Sequence, residues 1–219
     1  MCCVAFYPAS VCVKAREACT ASITDLLFNN LMREALLCEG LRLVPKHGWS
    51  RLALEEAARS LQLPPTAHGL VRGEVDLVSF FVEQSNARLA SVVNVSEELN
   101  LRMREKVHAA AKARLEMLLP FESSWSQALA LLAVPYNVPL GAALLHATSD
   151  EILFVCGDQS TDLSWYSKRA LLSLSYSASE LYMLTDQSAG KHDTWQFLER
   201  RIDNYASALR ATSQVTKFF

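Results

Sequence analysis

The sequence predicts an all-α protein, and three observations support that prediction. Long stretches rich in Ala, Leu, Glu and Arg repeat their apolar residues with the 3.6-residue period of a helix. Runs that alternate β-branched and polar residues, as half-exposed strands do, are nearly missing. Only seven Gly and seven Pro interrupt 219 residues, of which 51% are hydrophobic. A chain of this length can bury one sizeable core, so we expect a single domain.

The first part of that domain, residues 25–93, has the spacing of a helix-turn-helix. Apolar residues predict helices from Leu26 to about Lys46, over 51–61, over a short run at 67–71 and from about Glu74 to Val93. Pro64-Pro65 breaks the chain before the short run. Helix, short helix, turn, short helix and long helix is the plan of TetR-type regulators.

The segment that would read DNA is poor in the side chains that DNA binding uses. A recognition helix carries several Arg, Lys, Asn or Gln, whereas TAHGLVR offers only Thr66, His68 and Arg72. The net charge of −2 provides no general attraction to nucleic acid. We therefore expect a degenerate helix-turn-helix that binds no nucleic acid, with a ligand-responsive transcription regulator as the alternative.

The remaining part, 94–215, is predicted to continue the same domain as helices over 97–119, 124–134, 138–148, 161–184 and 192–213. No stretch is predicted to span a membrane, because prolines 135 and 139 interrupt the most apolar one. We expect Trp49, Trp125 and Trp195 to be substantially buried. Residues 1–24 are predicted to be a flexible or presequence-like N-terminus outside the fold.

Sequence motifs give no sign of an enzyme, a metal site or a cofactor. GxGxxG, P-loop, GxSxG and HExxH are missing. The single Glu-x-x-His, Glu105 to His108, cannot form a di-iron site, which needs two such motifs. Four of the six cysteines crowd the first nineteen residues without CxxC spacing, which favours free thiols in a reducing compartment. An enzyme that uses Asp158 and Asp162 as an acid/base pair is a further alternative.

The most informative segment is 157–169, GDQSTDLSWYSKR. Its acids and hydroxyls are those of a helix start. On the helix that follows, we expect Leu163, Ala170, Leu174, Leu181 and Leu184 to face the core, with Tyr166 at the edge. Trp165 then lies roughly 200° from Leu163. It is either an interface hot spot beside Tyr166 and Arg169, or a Trp covered by another helix of the chain.

The later helices also carry more apolar residues than one core face needs. They could be ordinary core, or they could line a tunnel for a long apolar ligand. The residues predicted to line such a pocket are Leu118, Leu129, Leu132, Leu144, Tyr182, Trp195 and Leu198.

Six segments resemble one known family, the ubiquinone (coenzyme Q) biosynthesis accessory protein nine. They are LVPKHGW (43–49), LEMLLPF (115–121), ALLAVPYNVP (130–139), GDQSTDLSWYSKRALL (157–172), ELYMLTD (180–186) and DTWQFLERRIDN (193–204). The resemblance implies a TetR-like, all-α homodimer that has lost DNA binding. It also implies a non-enzymatic, lipid-binding protein on the matrix side of the mitochondrial inner membrane.

The resemblance further implies partners and site residues. Such a protein binds isoprenoid quinone precursors and phospholipids, and presents the precursor to the di-iron hydroxylase that acts on demethoxyubiquinone. Asp158, Asp162, Trp165 and Tyr166 fall in the patch expected to bind the hydroxylase. Arg169 is expected to contact a lipid head group, with Lys168 expected to be solvated. Family members usually continue beyond the match into an amphipathic helix on the membrane. The present sequence ends at Phe219, so we expect either a truncated sequence or a differently built membrane contact.

Overall fold

The computed structural model describes residues 24–93, 102–158 and 163–215, and these residues contain helices and no strand. The all-α prediction is therefore confirmed for this part of the chain. The predictions for 1–24 (all but Thr24) and for Asp162 lie outside the described residues. The α-helices are α1 (Thr24–His47), α2 (Arg51–Ser60), α3 (Glu74–Val93), α4 (Met103–Glu116), α5 (Glu122–Ala133), α6 (Val138–Val155), α7 (Leu163–Thr185) and α8 (His192–Val215).

Three predicted helices differ from the observed ones. The helix predicted over 97–119 begins at Met103, after the extended residue Arg102, and ends at Glu116. The short run predicted over 67–71 is a 3-10 helix, Pro65–Leu70. The segment is only six residues long, and short connecting segments commonly form the tighter turns of a 3-10 helix. The helix predicted over 138–148 continues to Val155. Shorter 3-10 turns lie at Leu119–Phe121 and Ala189–Lys191.

The chain forms two compact units, and their division differs from the predicted parts 25–93 and 94–215. The described residues of the first unit are 24–81 and 120–137. Those of the second unit are 82–93, 102–119, 138–158 and 163–215. The segment 120–137, which contains α5, thus belongs with the first unit, although it comes late in the sequence.

The first unit has an aromatic core. Trp49, Phe81, Phe121 and Trp125 are all buried. The ring centroids of Trp49 and Trp125 lie 5.3 Å apart, and those of Phe81 and Phe121 lie 4.9 Å apart, both edge to face. This geometry suits the quadrupoles of aromatic rings and buries large areas. The predicted burial of Trp49 and Trp125 is confirmed.

Glycines allow two close approaches in the first unit. Gly48 follows the end of α1 with φ +69° and donates its N–H to the Val44 carbonyl at 2.8 Å. A Cβ at Gly48 would lie 2.3 Å from Gln127 Oε1, which accepts the N–H of Trp49 at 3.1 Å. A Cβ at Gly40 would lie 3.1 Å from Leu77. The HGW turn therefore needs glycine both for its left-handed backbone and for its contact with Gln127.

In the second unit α7 packs against α6 and α8, and α4 packs against α8. The predicted core face of α7 is wrong. Leu174 and Leu181 are 67% and 57% exposed, and Ala170 is also exposed. The buried face carries Arg169, Leu172, Tyr176, Ser179 and Met183. Because polar groups occupy part of the buried face, apolarity alone pointed to the wrong side of the helix.

Two further expectations for the second unit are corrected. Trp195 is half-buried rather than buried. Its indole N–H donates to the Gly190 carbonyl at 2.8 Å, and the Lys112 ammonium lies 5.2 Å from its ring centroid. The expectation that no stretch has transmembrane character is also wrong, since α6 is long and apolar enough to cross a membrane by length and composition alone, with a mean hydropathy of 1.3.

Candidate functional site

The central feature of the second unit is a buried arginine, Arg169 on α7, which is 4% exposed. Its Nε donates to Asp150 Oδ1 of α6 at 2.5 Å. Its Nη1 donates to the Trp165 carbonyl at 3.3 Å and lies 3.6 Å from Asp158 Oδ2. Two carboxylates thus compensate a guanidinium that burial would otherwise penalise.

Asp158 connects that arginine to a second cation. Its carboxylate is buried and accepts a hydrogen bond from the Lys168 ammonium at 2.6 Å. Lys168 was expected to be solvated, and that expectation is wrong, because only 25% of its side chain is exposed and the ammonium is ion-paired. Asp158 therefore pairs with two cations inside the unit, and its carboxylate presents little surface to solvent.

Trp165 lies directly over the arginine. The Arg169 Cζ is 3.9 Å from the indole centroid, a cation–π distance. Tyr166 meets the indole edge to face at 4.7 Å, and the His146 ring lies 5.6 Å away on α6. Trp165 is half-buried, while Tyr166 is 68% exposed. The predicted pair thus forms an aromatic surface whose inner face is covered by Arg169 of the same helix.

The structure divides the predicted pocket residues between the two units. Leu129 and Leu132 belong to the first unit and are half-buried. The other predicted residues belong to the second unit, where Leu118, Leu144 and Leu198 are buried while Tyr182 and Trp195 are half-buried. The Tyr182 ring stacks on Phe197 with centroids 4.4 Å apart.

A cleft of about 160 Å³ lies in the second unit and contains none of the predicted pocket residues. Its walls are mainly apolar, and Asp158 and Lys168 reach its edge. The lining comprises Met103, Arg104, Val107, Leu153, Asp158, Lys168, Tyr205, Ala206 and Leu209. Sequence reasoning missed this cleft because its residues come from four helices and the segment after α6, and no local pattern joins them.

Burial raises the pKa of three ionisable groups in this part of the second unit. Burial raises the pKa of the Cys156 thiol to about 12. Burial, reinforced by the charges of Asp158 and Cys156, raises the pKa of the Tyr205 hydroxyl. Burial and the neighbouring Asp150 raise the pKa of Glu151. A thiol that acts as a nucleophile at neutral pH has a lowered pKa, because the thiolate is the reactive form. The raised pKa of Cys156 is therefore unsuited to nucleophilic catalysis.

One residue of the cluster, Asp150, was not predicted. Asp150 and Glu151 are the only acids in α6, an otherwise apolar helix. A carboxylate in such a segment needs a cationic partner. The sequence therefore contained a signal that Asp150 pairs with a cation elsewhere in the chain. Among the described residues, no group of three or more His, Cys, Asp or Glu side chains could hold a metal ion.

Comparison with solved structures defines the class of fold. A TetR transcriptional regulator from Nitrosomonas europaea ATCC 19718 superposes with a TM-score of 0.62, covering 80% of this chain and 98% of that one, at 17% sequence identity. Identity at this level shows the fold alone. The second unit, with its buried arginine and aromatic surface, is therefore part of a TetR-like, all-α protein.

Comparison of sequences then gives the family. The COQ9 family model matches residues 138–208. The ubiquinone biosynthesis protein COQ9, mitochondrial, of Xenopus tropicalis is 38% identical over 192 residues, covering 84% of this chain and 61% of that protein. The human protein of the same name is 35% identical, covering 84% and 60%, and that of Drosophila melanogaster is 34% identical, covering 84% and 58%. The chain carries the COQ9 domain and is a homologue of the COQ9 proteins, of whose length it spans about three fifths.

Proposed function

We propose that this chain is a non-enzymatic, lipid-binding accessory protein of ubiquinone biosynthesis. It binds isoprenoid quinone precursors and presents them to the demethoxyubiquinone hydroxylase at the matrix side of the mitochondrial inner membrane. The relatives are named ubiquinone biosynthesis proteins and mitochondrial, which supports the pathway and the organelle. The observation that carries the proposal is the aromatic surface of Trp165 and Tyr166, which lies in the segment matched by the COQ9 family model.

The hydroxylase is proposed to dock on that surface. Tyr166 exposes 68% of its area beside the half-buried Trp165, and aromatic residues with a charged neighbour are typical interface anchors. Asp158 contributes by neutralising Arg169 rather than by direct contact, because its own carboxylate is buried. Asp162, in the segment before α7, remains part of the proposed patch.

Lipid is proposed to bind in the second unit. The apolar side chains of Leu118, Leu144 and Leu198 fill its interior, and the cleft of about 160 Å³ supplies open apolar space. Ordinary ligand pockets measure roughly 300–1,000 Å³, so the cleft would hold only part of a long isoprenoid. Arg169 is proposed as the head-group contact, through the Nη2 edge that the two carboxylates do not engage.

Docking is best tested with two exposed tyrosines. Tyr166→Ala should weaken binding to the purified hydroxylase by about five-fold or more, because truncating an interface aromatic costs about 1–3 kcal/mol. Tyr136→Ala is the matched control, since Tyr136 is 92% exposed and lies in the first unit. Equal affinities for the two variants in a surface-binding assay would refute this docking site.

Lipid binding needs a separate measurement. Solvent extraction of the gently purified protein, followed by mass spectrometry, should yield quinone-like or phospholipid species. Arg169→Ala should lower phospholipid retention relative to Arg200→Ala, which changes an exposed arginine of α8. Protein that is reproducibly free of lipid would contradict the proposal.

The runner-up function, a ligand-responsive transcription regulator, is favoured only by the TetR-like fold. Arg72, the one basic residue of the predicted reading segment, has an 88% exposed side chain that lies 3.8 Å from Asp76. A regulator predicts sequence-specific duplex binding that falls steeply with salt. This binding can be tested by selecting, from a pool of random DNA duplexes, those that the protein retains. Enrichment of one DNA sequence would contradict the lipid-binding proposal and support the regulator.

A further inference from the structure

We propose that Arg169 is a positioning residue: its guanidinium is a platform that orients Trp165 for the partner, and Asp150 and Asp158 hold that platform in place. The inference deepens the proposed docking of the hydroxylase and rests on it. It assigns a function to Asp150 and gives the ion pairs of α6 and α7 a purpose beyond stability.

Three contacts along its edges fix the plane in which the Arg169 guanidinium lies. Its Nε is held by Asp150 at 2.5 Å and its Nη1 lies 3.6 Å from Asp158 and 3.3 Å from the Trp165 carbonyl. A planar cation held at its edges keeps its face at a constant height and tilt. That face lies 3.9 Å from the indole centroid, so the position of the indole follows from the two carboxylates.

Helical spacing makes the stack possible. Residues 165 and 169 are four apart on α7, so both side chains lie on one side of that helix. The carboxylates come from outside α7, since Asp150 lies on α6 and Asp158 follows that helix. The orientation of a surface residue on α7 therefore depends on charges supplied by the neighbouring segment.

If the platform is lost, a smaller fraction of the molecules should have Trp165 in the rotamer that binds the hydroxylase. The affinity for the hydroxylase should then fall. On a helix a tryptophan side chain has two common χ1 wells, and Arg169 favours one of them by stacking. If the ring were released to sample the two equally, the competent fraction would fall to about one half, and the apparent dissociation constant would rise about two-fold. Truncation of the ring itself should cost far more.

Asp150→Asn is the informative variant. Asp150 has a side chain 46% exposed, so the substitution keeps the shape and removes the charge at a site that tolerates change, whereas Asp158 is buried. Asp203→Asn is a matched control, because Asp203 is 52% exposed and also pairs with an arginine, Arg104. Both variants remove one acid from an arginine–carboxylate pair of the second unit.

Two measurements on the full chain test the inference. The protein is labelled with 5-fluorotryptophan, and the ¹⁹F resonance of Trp165 is assigned with Trp165→Phe. Asp150→Asn and Arg169→Lys should shift or broaden that resonance, whereas Asp203→Asn should leave it unchanged. Binding to the purified hydroxylase should weaken about two-fold in Asp150→Asn. In the Trp165→Phe background, Asp150→Asn should have no further effect on binding.

The two readouts separate the inference from the docking proposal. An unchanged Trp165 resonance in Asp150→Asn would overturn the inference, whatever the hydroxylase does. A shifted resonance with undiminished affinity would also overturn it, because orientation would then not matter for docking. Failure of the unmodified chain to bind the hydroxylase would instead refute the docking proposal, and the fluorine measurement would still show whether Arg169 positions the ring.

Discussion

The interiors of the two compact units differ in how many charged side chains they bury. In the first unit the interior is a cluster of four aromatic rings, and the polar contact beside it, between Trp49 and Gln127, secures a turn. In the second unit Arg114 and Arg169 are buried. Leu174 and Leu181, on the same helix as Arg169, are exposed. Among the described residues, the first unit buries one charged residue, Asp76, whereas the second buries four, Arg114, Arg169, Glu180 and Asp186.

That difference supports the site proposed on α7. Sequences depart from local consistency mainly at sites that bind or react, because stability alone gives no reason for the departure. Burying an arginine requires compensating acceptors, and exposing large apolar residues invites a partner. Both departures meet on α7, the helix that also carries the aromatic surface.

The largest effect should come from breaking the core of the first unit. Trp125→Ala removes a side chain that is 2% exposed and contacts two other aromatic residues of the cluster, Trp49 and Phe81. We expect a loss of about 3–5 kcal/mol in the free energy of unfolding, because a large cavity remains. Urea titration of the full chain, followed by circular dichroism, measures it. A loss below about 1 kcal/mol would mean that this core is not the main support of the unit.

The next effect should come from the polar interior of the second unit. Arg114 donates from Nε to Asn86 Oδ1 at 3.0 Å, and Asn86 also contacts the Thr148 hydroxyl at 3.3 Å. Arg114→Met should reduce the free energy of unfolding by about 1–3 kcal/mol, since Asn86 loses a charged donor in a buried place. Lys112→Met, at a partly exposed position of the same helix, is the control. A stabilised Arg114→Met protein would show that the buried charge is costly and retained for function.

A smaller, pH-dependent effect should arise at Asp186, between α7 and α8. Burial opposes its ionisation, but hydrogen bonds from Thr194 and Ser188 outweigh burial and hold the pKa of Asp186 below its ordinary value. Its contribution to stability is therefore complete above about pH 4, where the unfolded chain is ionised too, and is lost as pH falls below that value. Asp186→Asn should be less stable than the unmodified chain at pH 7, and this difference should shrink towards pH 2.

The control for Asp186 is Asp193→Asn, which removes the same charge from an exposed position in the first turn of α8. Because both acids lie near the N-terminus of α8, the control accounts for the helix dipole. Thermal unfolding at a series of pH values measures both variants. A stability difference for Asp186→Asn that stays constant from pH 7 to pH 2 would exclude the assigned hydrogen bonds as its cause.

The smallest effect on stability should come from the exposed leucines of α7. The double variant Leu174→Ser, Leu181→Ser should change the free energy of unfolding of the monomer by less than about 0.5 kcal/mol per site. Its effect on association should be larger if this face joins two copies in the proposed homodimer, because a dimer buries such residues. Sedimentation equilibrium distinguishes the outcomes, and a dimer of unchanged strength would place the contact elsewhere.

The sequence predicted the helices well and the faces of one helix poorly. The bounds of α3 match the predicted ones, because its apolar period is regular. The face of α7 was misjudged because leucines occupy both sides of it, while the buried Arg169 gave no apolar signal. Burial there depends on Asp150, nineteen residues away in sequence, which periodicity cannot reveal.

Site prediction had the same limit. Trp165 and Tyr166 were identified from their composition and from the family resemblance, and they do lie together. The contact of Trp165 with Arg169 and the pairing of Lys168 with Asp158 required three-dimensional proximity to be seen. The pocket residues were chosen for apolarity, a property that core residues share, and the cleft has other walls.

The rate at which the Cys156 thiol is chemically labelled can report how often the segment that carries Asp158 opens. It is 5% exposed, its pKa is raised to about 12, and it precedes Asp158 by two residues at the end of α6. In the closed state it should resist alkylating reagents, because the thiolate is scarce and the sulfur is covered. Any labelling must then pass through an opening that exposes this segment. The labelling rate of Cys156 would thus measure how often the end of α6 opens. A bound lipid or partner that stabilises Asp158 would lower this rate.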